Sequence, residues 1–535
     1  MASVSEIQAP VKLASKVHAH GLAHTIGRNT VFGIVARGAQ VATRLVTIPI
    51  VIAHLGLGGY GIWSIVMTTA AYMRFGSVGI KSAFQKYVAE ATGNGDYERA
   101  NKLVSTGMAG LMTISVLTLI PIAIFAPLLA KASGVPPEFQ SATAKSISAL
   151  ALIMVMSNFG AAYEAIVSGG HRLDLVRNFS TVFTIAEAVA IITALHYGKG
   201  LFAMSLIMAV SELGLVICCY FAAKKVLPEV QVRLKYVTRG VAGELVRFAG
   251  SYQLVNILEV LYVSIVPVAI LRAFGAQSAG VYAITTRLVQ SAMMLWESFL
   301  LPILSGGAMV YASGSAEQMR RLIVKAFKIT MGLCLFPLAF IAVFGTTMVL
   351  AWTGQADSSF RLGLWIVCLA GFFQGFSVLG LVLYRVSGKA LLDNIRQGIR
   401  IVILFSIAIF ARKLGFYGVL WGLAAAELAG MVFMLFAITK TFRSFHPRAL
   451  LSDAVKLTVA TAAVLFAGAL AAAVPLPGIS NARLLAGLQL GKVCLGCLLA
   501  AWPALALTKS ITDAESKTLF GIFLPHRLRS QEGVG

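Results

Sequence analysis

Acidic residues are scarce in this chain: 21 Asp and Glu among 535 residues, with charged residues of both signs at only 12%. Ordinary globular proteins carry about 25%. Hydrophobic residues make up 58%, and mean hydropathy is +0.84. So few polar groups cannot cover a soluble fold of this size, which excludes a soluble enzyme and a disordered binder. Cysteine is scarce too, at six. Cys218, Cys219, Cys334, Cys368, Cys494 and Cys497 all fall in apolar runs, so no disulfide framework is expected. Cys494 and Cys497 have C-x-x-C spacing, but an apolar helix without further ligands is a poor zinc or redox site, and the thiols read as buried. No P-loop is present: GLQLGKV at 487–493 lacks both the spacing and the Ser/Thr after Lys. The chain therefore has no ATP site of that kind, and no cofactor or metal is expected. The first 29 residues hold no apolar core, so they read as a tail rather than a cleavable signal. His18, His20 and His24 in that tail read as solvated.

Long apolar runs and basic charge are abundant. A membrane span needs about 20 apolar residues. Fourteen such runs are predicted: 30–53, 59–80, 103–127, 146–168, 179–196, 201–223, 248–271, 279–304, 329–350, 362–384, 397–411, 416–438, 457–474 and 485–507. The second is expected to continue as helix to about Thr92. None alternates with period 2, which argues against an outer-membrane barrel. The fold class expected is an all-α polytopic membrane protein.

The net charge of +23 comes from 44 Lys and Arg. In a soluble protein it would point to nucleic acid. Here the basic residues sort by side. Thirty-one lie in the two tails and the even-numbered connections, and only eight in the odd-numbered ones. The positive-inside rule then places both termini in the cytoplasm, and the basic residues are expected to face anionic membrane lipid rather than nucleic acid.

The chain also repeats itself at an offset of 219. LGLGGYGIW at 55–63 aligns with FGAQSAGVY at 274–282, pairing Gly56 with Gly275 and Gly61 with Gly280. GDYERANKL at 95–103 aligns with GSAEQMRRL at 314–322, pairing Glu98 with Glu317 and Lys102 with Arg321. VSGGHRLDLVRN at 167–178 aligns with VSGKALLDNIRQ at 386–397, pairing Asp174 with Asp393 and Arg177 with Arg396. After a four-residue deletion, 200–214 aligns with 415–429 and Glu212 meets Glu427. Six spans per copy give both copies one orientation, related by an axis along the membrane normal. The expected organisation is a cytoplasmic tail (1–29), an N-lobe (30–223), a basic cytoplasmic linker (224–243), a C-lobe (244–440), two further helices (441–508) and a second cytoplasmic tail (509–535).

The block at 55–107, with its Gly-rich turn ending in Tyr60-Gly61-Ile62-Trp63, its small-residue helix and its acidic-basic loop, resembles the start of polysaccharide transporters. These are the O-antigen and exopolysaccharide flippases of the multidrug/oligosaccharidyl-lipid/polysaccharide (MOP) superfamily. The resemblance implies two six-helix lobes facing a central cavity. It also implies an undecaprenyl-diphosphate-linked oligosaccharide as passenger, moved from the inner to the outer leaflet of the bacterial cytoplasmic membrane. A polysaccharide polymerase and export machinery are the protein partners it implies.

Ionisable residues inside a span are costly and mark candidate sites. Span 1 carries Arg37, Gln40 and Arg44 on one helical face. Span 2 carries Arg74, span 7 Asn256 and Glu259, and span 8 Arg287, Gln290 and Glu297. A diphosphate offers several acceptor oxygens, and Arg offers five donors with a fixed charge. The four arginines, with Gln40, Gln290 and Asn256, are therefore candidates to bind the substrate. Glu259 and Glu297 are candidates for ion coupling. Snorkelling to the headgroups and ion pairing with Glu259 are the structural alternatives for the arginines. The competing functions are a cation-coupled multidrug exporter, which would want an acidic cavity, and a peptidoglycan-precursor flippase. A membrane glycosyltransferase would need a large extramembrane loop, and no connection exceeds about 25 residues.

Overall fold

The computed structural model describes residues 38–508 apart from 69–86, most of 298–313, and positions 89, 171, 388, 390, 443, 444, 446 and 477–479. Among the described residues there are helices and no strand, an all-α polytopic fold. Helices α1 (Gly38–Thr68), α2 (Tyr97–Ala132), α3 (Pro137–Gly169), α4 (Leu173–His196) and α5 (Leu201–Val226) come first. Helices α6 (Arg239–Glu297), α7 (Ala316–Thr353), α8 (Ser359–Val386), α9 (Leu391–Ile409) and α10 (Ala411–Thr441) follow, and α11 (Leu451–Ala473) and α12 (Ala482–Leu507) end the bundle.

Eleven of these helices are long and apolar enough to cross a membrane. They fall on thirteen of the fourteen expected spans, because α1 holds the described parts of spans 1 and 2 while α6 holds span 7 and the described part of span 8 up to Glu297. The remaining span is α9, whose Asp393, Arg396 and Arg400 make it too charged to qualify on composition. Helical backbone is present at 90–93, but the expected run from 59 to Thr92 lies mostly outside the described residues. All six cysteines are free, and Cys494, read as buried from sequence, is exposed while Cys497 is buried. Both thiols lie on α12, and Cys497 is the one that enters the core with Phe344, Val464 and Val493.

The repeat is built into the backbone. Gly56 and Gly275 both take positive φ, 71° and 82°, where α1 and α6 break between their paired spans. Gly95 and Gly314 also match, at 73° and 70°. A left-handed backbone is open to glycine without the Cβ clash that other residues suffer. The next residues, Asp96 and Ser315, cap α2 and α7 through equivalent side-chain bonds from Arg99 N (2.9 Å) and Gln318 N (3.3 Å). One turn on, Glu98 pairs with Lys102 at 2.6 Å and Glu317 with Arg321 at 3.0 Å. Gly134 and Gly354, 220 apart, form a third positive-φ pair that the sequence alignment does not contain. The fourth block is looser. Gly200 and Gly415 each precede a helical run, but only Gly415 has positive φ.

Packing divides the chain into two compact units, one ending at Gly280 and the other starting at Val281. In the first, α2, α3 and α5 bury a core that includes Leu103, Leu111, Ala162 and Ile166. Buried Asn158 on α3 donates to Ser115 Oγ on α2 at 2.8 Å. The basic segment after α5 is laid against α2 rather than left free. Asn101 accepts from Gln231 N (2.5 Å), Ser105 from Arg233 N (3.0 Å) and Thr106 from Thr238 N (3.0 Å). The same side chains donate back to the carbonyls of Glu229, Gln231 and Tyr236. Three polar side chains on one helix thus satisfy backbone groups of an extended segment that no strand pairs. In the second unit, α7, α11 and α12 share a core of Phe344, Val464, Val493 and Cys497. Trp296 Nε1 on α6 donates to Thr330 Oγ1 on α7 at 3.0 Å.

Candidate functional site

Of the residues singled out from sequence, Arg37 and Arg74 lie outside the described residues, as does the side chain of Asn256. Gln40 and Arg44 lie one turn apart on α1, half-buried and exposed respectively. Arg287 is half-buried on α6 and donates to Gln290 Oε1 at 3.4 Å. Its carbonyl accepts from Ser291 Oγ at 2.8 Å. Among the described residues Arg287 makes no ion pair, so Gln290 orients its guanidinium without neutralising it. That leaves a fixed cation in an apolar span, the electrostatic state that an anionic ligand satisfies. Glu259 is half-buried and Glu297 exposed, on the two parts of α6 separated by Gly275.

A second charged cluster was not singled out as a site from sequence, and it is fully buried. Asp393, Arg396, Gln397, Arg400 and Glu427 are each at most 2% exposed. Arg396 pairs with Asp393 at 2.8 Å and donates to Ser377 Oγ on α8 at 2.7 Å. Arg400 bonds Gln397 and pairs with Glu427 on α10. Gly430, one turn after Glu427, makes room: a Cβ there would stand 3.1 Å from Arg400 Cδ. Two cations and two anions compensate one another and join α8, α9 and α10. Helical periodicity turns Arg396 and Arg400 inward together with Asp393 and Gln397. The available signal was the 3–4 spacing of 393, 396, 397 and 400, with Glu427 as a polar residue in a span. Among the described residues the equivalent positions of the first repeat are arranged differently. Arg177, the equivalent of Arg396, is exposed; Arg400 has Thr181 at the same offset; and buried Asp174 pairs with Arg172 at 3.2 Å.

Comparison with known proteins places the chain. Residues 60–357, more than half of it, match the family model described as polysaccharide biosynthesis protein. The uncharacterized membrane protein EpsK of Bacillus subtilis (strain 168) is 21% identical over 316 residues, which cover 58% of this chain. The matched region spans 62% of that relative's own length. Among solved structures, the lipid II flippase MurJ in an inward closed conformation is similar with a TM-score of 0.69 and 13% identity, over 89% of this chain and 99% of that one. An inward-facing multidrug resistance MATE family transporter of the MOP superfamily is similar with a TM-score of 0.64 and 15% identity, over 76% of this chain and 95% of that one. The chain belongs to the polysaccharide biosynthesis protein family and is built on the fold of these MOP-superfamily membrane proteins.

Proposed function

We propose that this protein is a flippase that moves a polyprenyl-diphosphate-linked oligosaccharide from the inner to the outer leaflet of the bacterial cytoplasmic membrane, for surface or exopolysaccharide synthesis. The observation that carries this reading is Arg287. It is a half-buried guanidinium in a membrane-spanning helix, oriented by Gln290 and paired with no acid among the described residues, in a chain of the polysaccharide biosynthesis family. Arg287 and Arg44 meet the diphosphate, joined by Arg37 and Arg74. Gln40, Gln290 and Asn256 supply neutral hydrogen bonds to the head of the passenger. Glu259 and Glu297 are the groups proposed to carry a coupling ion. The protein acts as a transporter rather than an enzyme, with both termini in the cytoplasm and with a polysaccharide polymerase and export machinery as downstream partners.

The fold likeness to a multidrug transporter favours a second reading, a cation-coupled exporter of the same superfamily. Cationic drugs call for carboxylates, and the span arginines have the opposite sign. The likeness to the lipid II flippase favours a third, which shares the diphosphate and differs in the sugar. The test is outer-leaflet exposure of polyprenyl-diphosphate oligosaccharide in cells carrying Arg44→Ala or Arg287→Ala. The expected result is loss of exposure with protein abundance unchanged. Full activity in both variants removes the site assignment, and drug resistance without any glycan phenotype moves the function to the exporter.

A further inference from the structure

In the first unit, α3 and α5 enclose an apolar groove of about 600 Å³. Buried Val216 forms part of its lining. Leu152 and Phe159 on α3, and Leu213, Ile217 and Phe221 on α5, also line it, each 40–64% exposed. The spacing of these residues keeps them on one face of each helix, so the groove runs along both axes. On membrane-spanning helices, side chains exposed to this degree meet acyl chains rather than water.

One end of the groove is different. Phe159 packs edge-on against Tyr163 with ring centroids 5.5 Å apart, and Tyr163 against Tyr220 at 5.1 Å. Lys224 Nζ then sits 4.4 Å over the Tyr220 ring. Among the described residues neither Lys224 nor its neighbour Lys225 makes an ion pair. The sequence of features is apolar channel, tyrosine pair, uncompensated cation. Tyrosine is suited to the boundary between hydrocarbon and headgroup, where its ring is buried and its hydroxyl wet.

We infer that this groove is a binding site for an anionic membrane phospholipid, with one acyl chain along α3 and α5 and the phosphate on Lys224. Charge complementarity selects the occupant. A zwitterionic lipid gains less from two uncompensated ammonium groups, and a glycan finds few polar partners in the channel. The site is separate from the span arginines and does not depend on the flipping reading.

The experiment uses the full chain in nanodiscs of equal parts phosphatidylcholine and phosphatidylglycerol. A phosphatidylglycerol probe with a diazirine in one acyl chain is photolysed, and adducts are mapped by mass spectrometry. Adducts are expected within 152–159 and 213–221 and should fall when unlabelled phosphatidylglycerol competes. Lys224→Ala is expected to lower retention of phosphatidylglycerol several-fold without changing that of phosphatidylcholine. Leu213→Trp with Ile217→Trp should fill the groove and abolish the adducts. Lys224 is exposed, so its variant decides the matter if the tryptophan pair does not fold. Adducts spread evenly over all lipid-facing helices with no effect of Lys224→Ala overturn the proposal. Competition by a polyprenyl phosphate but not by phosphatidylglycerol also overturns it, by assigning the groove to the carrier lipid.

Discussion

Gly61 and Gly280 stand 219 residues apart in sequence and back to back in space. A Cβ on Gly61 would collide with the carbonyl oxygen of Ala276 and lie 2.6 Å from Gly280 N. A Cβ on Gly280 would collide with the carbonyl oxygen of Leu57, and Leu57 and Ala276 are themselves 219 apart. The contact is therefore reciprocal: each glycine faces the backbone beside the other.

Gly61→Ala and Gly280→Ala should each destabilise the protein by about 1–3 kcal/mol, the range for overpacking a tight contact. Gly110→Ala is the control, since nothing stands within 4 Å of its Cβ position and alanine is the better helix former. Thermal unfolding in detergent is the measurement. Equal melting temperatures for all three variants would contradict the tight approach.

Removing one partner of the Arg400–Glu427 pair should be costly, because the other charge stays buried. Arg400→Met or Glu427→Gln is expected to lose about 3–5 kcal/mol. The double variant Arg400→Met/Glu427→Leu should recover much of that loss, since no charge is then left uncompensated. A double-mutant cycle on unfolding free energy reads the coupling directly.

Asn101, Ser105 and Thr106 should govern protection of the segment they hold. In Asn101→Ala/Ser105→Ala the amides of Gln231 and Arg233 lose their acceptors. Their hydrogen exchange should accelerate while amides in the core of α3 stay protected. Unchanged exchange at 231 and 233 would show the segment to be held by other contacts.

Glu317 should make stability depend on pH in acid. Hydrogen bonds from Arg320 and then Arg321 lower its pKa from 4.5 to about 2. A depressed carboxylate contributes stability above its unfolded pKa and loses that contribution as pH falls through the folded value. The difference in melting temperature between the wild-type protein and Glu317→Gln should therefore be constant above about pH 5 and vanish between about pH 4.5 and 2. The group is fully exposed, so the effect should be small and shrink with added salt.

Flipping should respond to the membrane potential. One negative charge moving outward gains about 2.3 kcal/mol per 100 mV, so a diphosphate with about two charges gains roughly 4–5 kcal/mol if no cation travels with it. Dissipating the potential in vesicles should slow the transfer. Unchanged rates would mean that the moved charge is compensated.

Much of the fold was legible because a bilayer leaves little choice. Backbone groups in hydrocarbon must be satisfied within the segment, so apolar runs of span length become helices. The repeat was legible where local geometry forces a residue type. Gly56 and Gly275, and Gly95 and Gly314, share positive φ, and Asp96 and Ser315 share a cap. Gly134 and Gly354 share it too, yet nothing around them aligns, and one matching glycine between unlike neighbours carries little sequence signal.

The site residues divide in the same way. Arg287 and Gln290 meet because i, i+3 on a helix puts them together. Which cation has a counter-charge could not be read from the chain. Arg400 and Glu427 are 27 residues apart on different helices, and only the packing of α9 on α10 joins them. Composition and periodicity thus determined the membrane class, the helices and the duplication, each fixed by local backbone chemistry or by the solvent. Tertiary packing alone decided that Arg400 is neutralised by Glu427, that the segment after α5 lies along α2, and that Lys224 stands, among the described residues, without an ion pair at the end of an apolar groove.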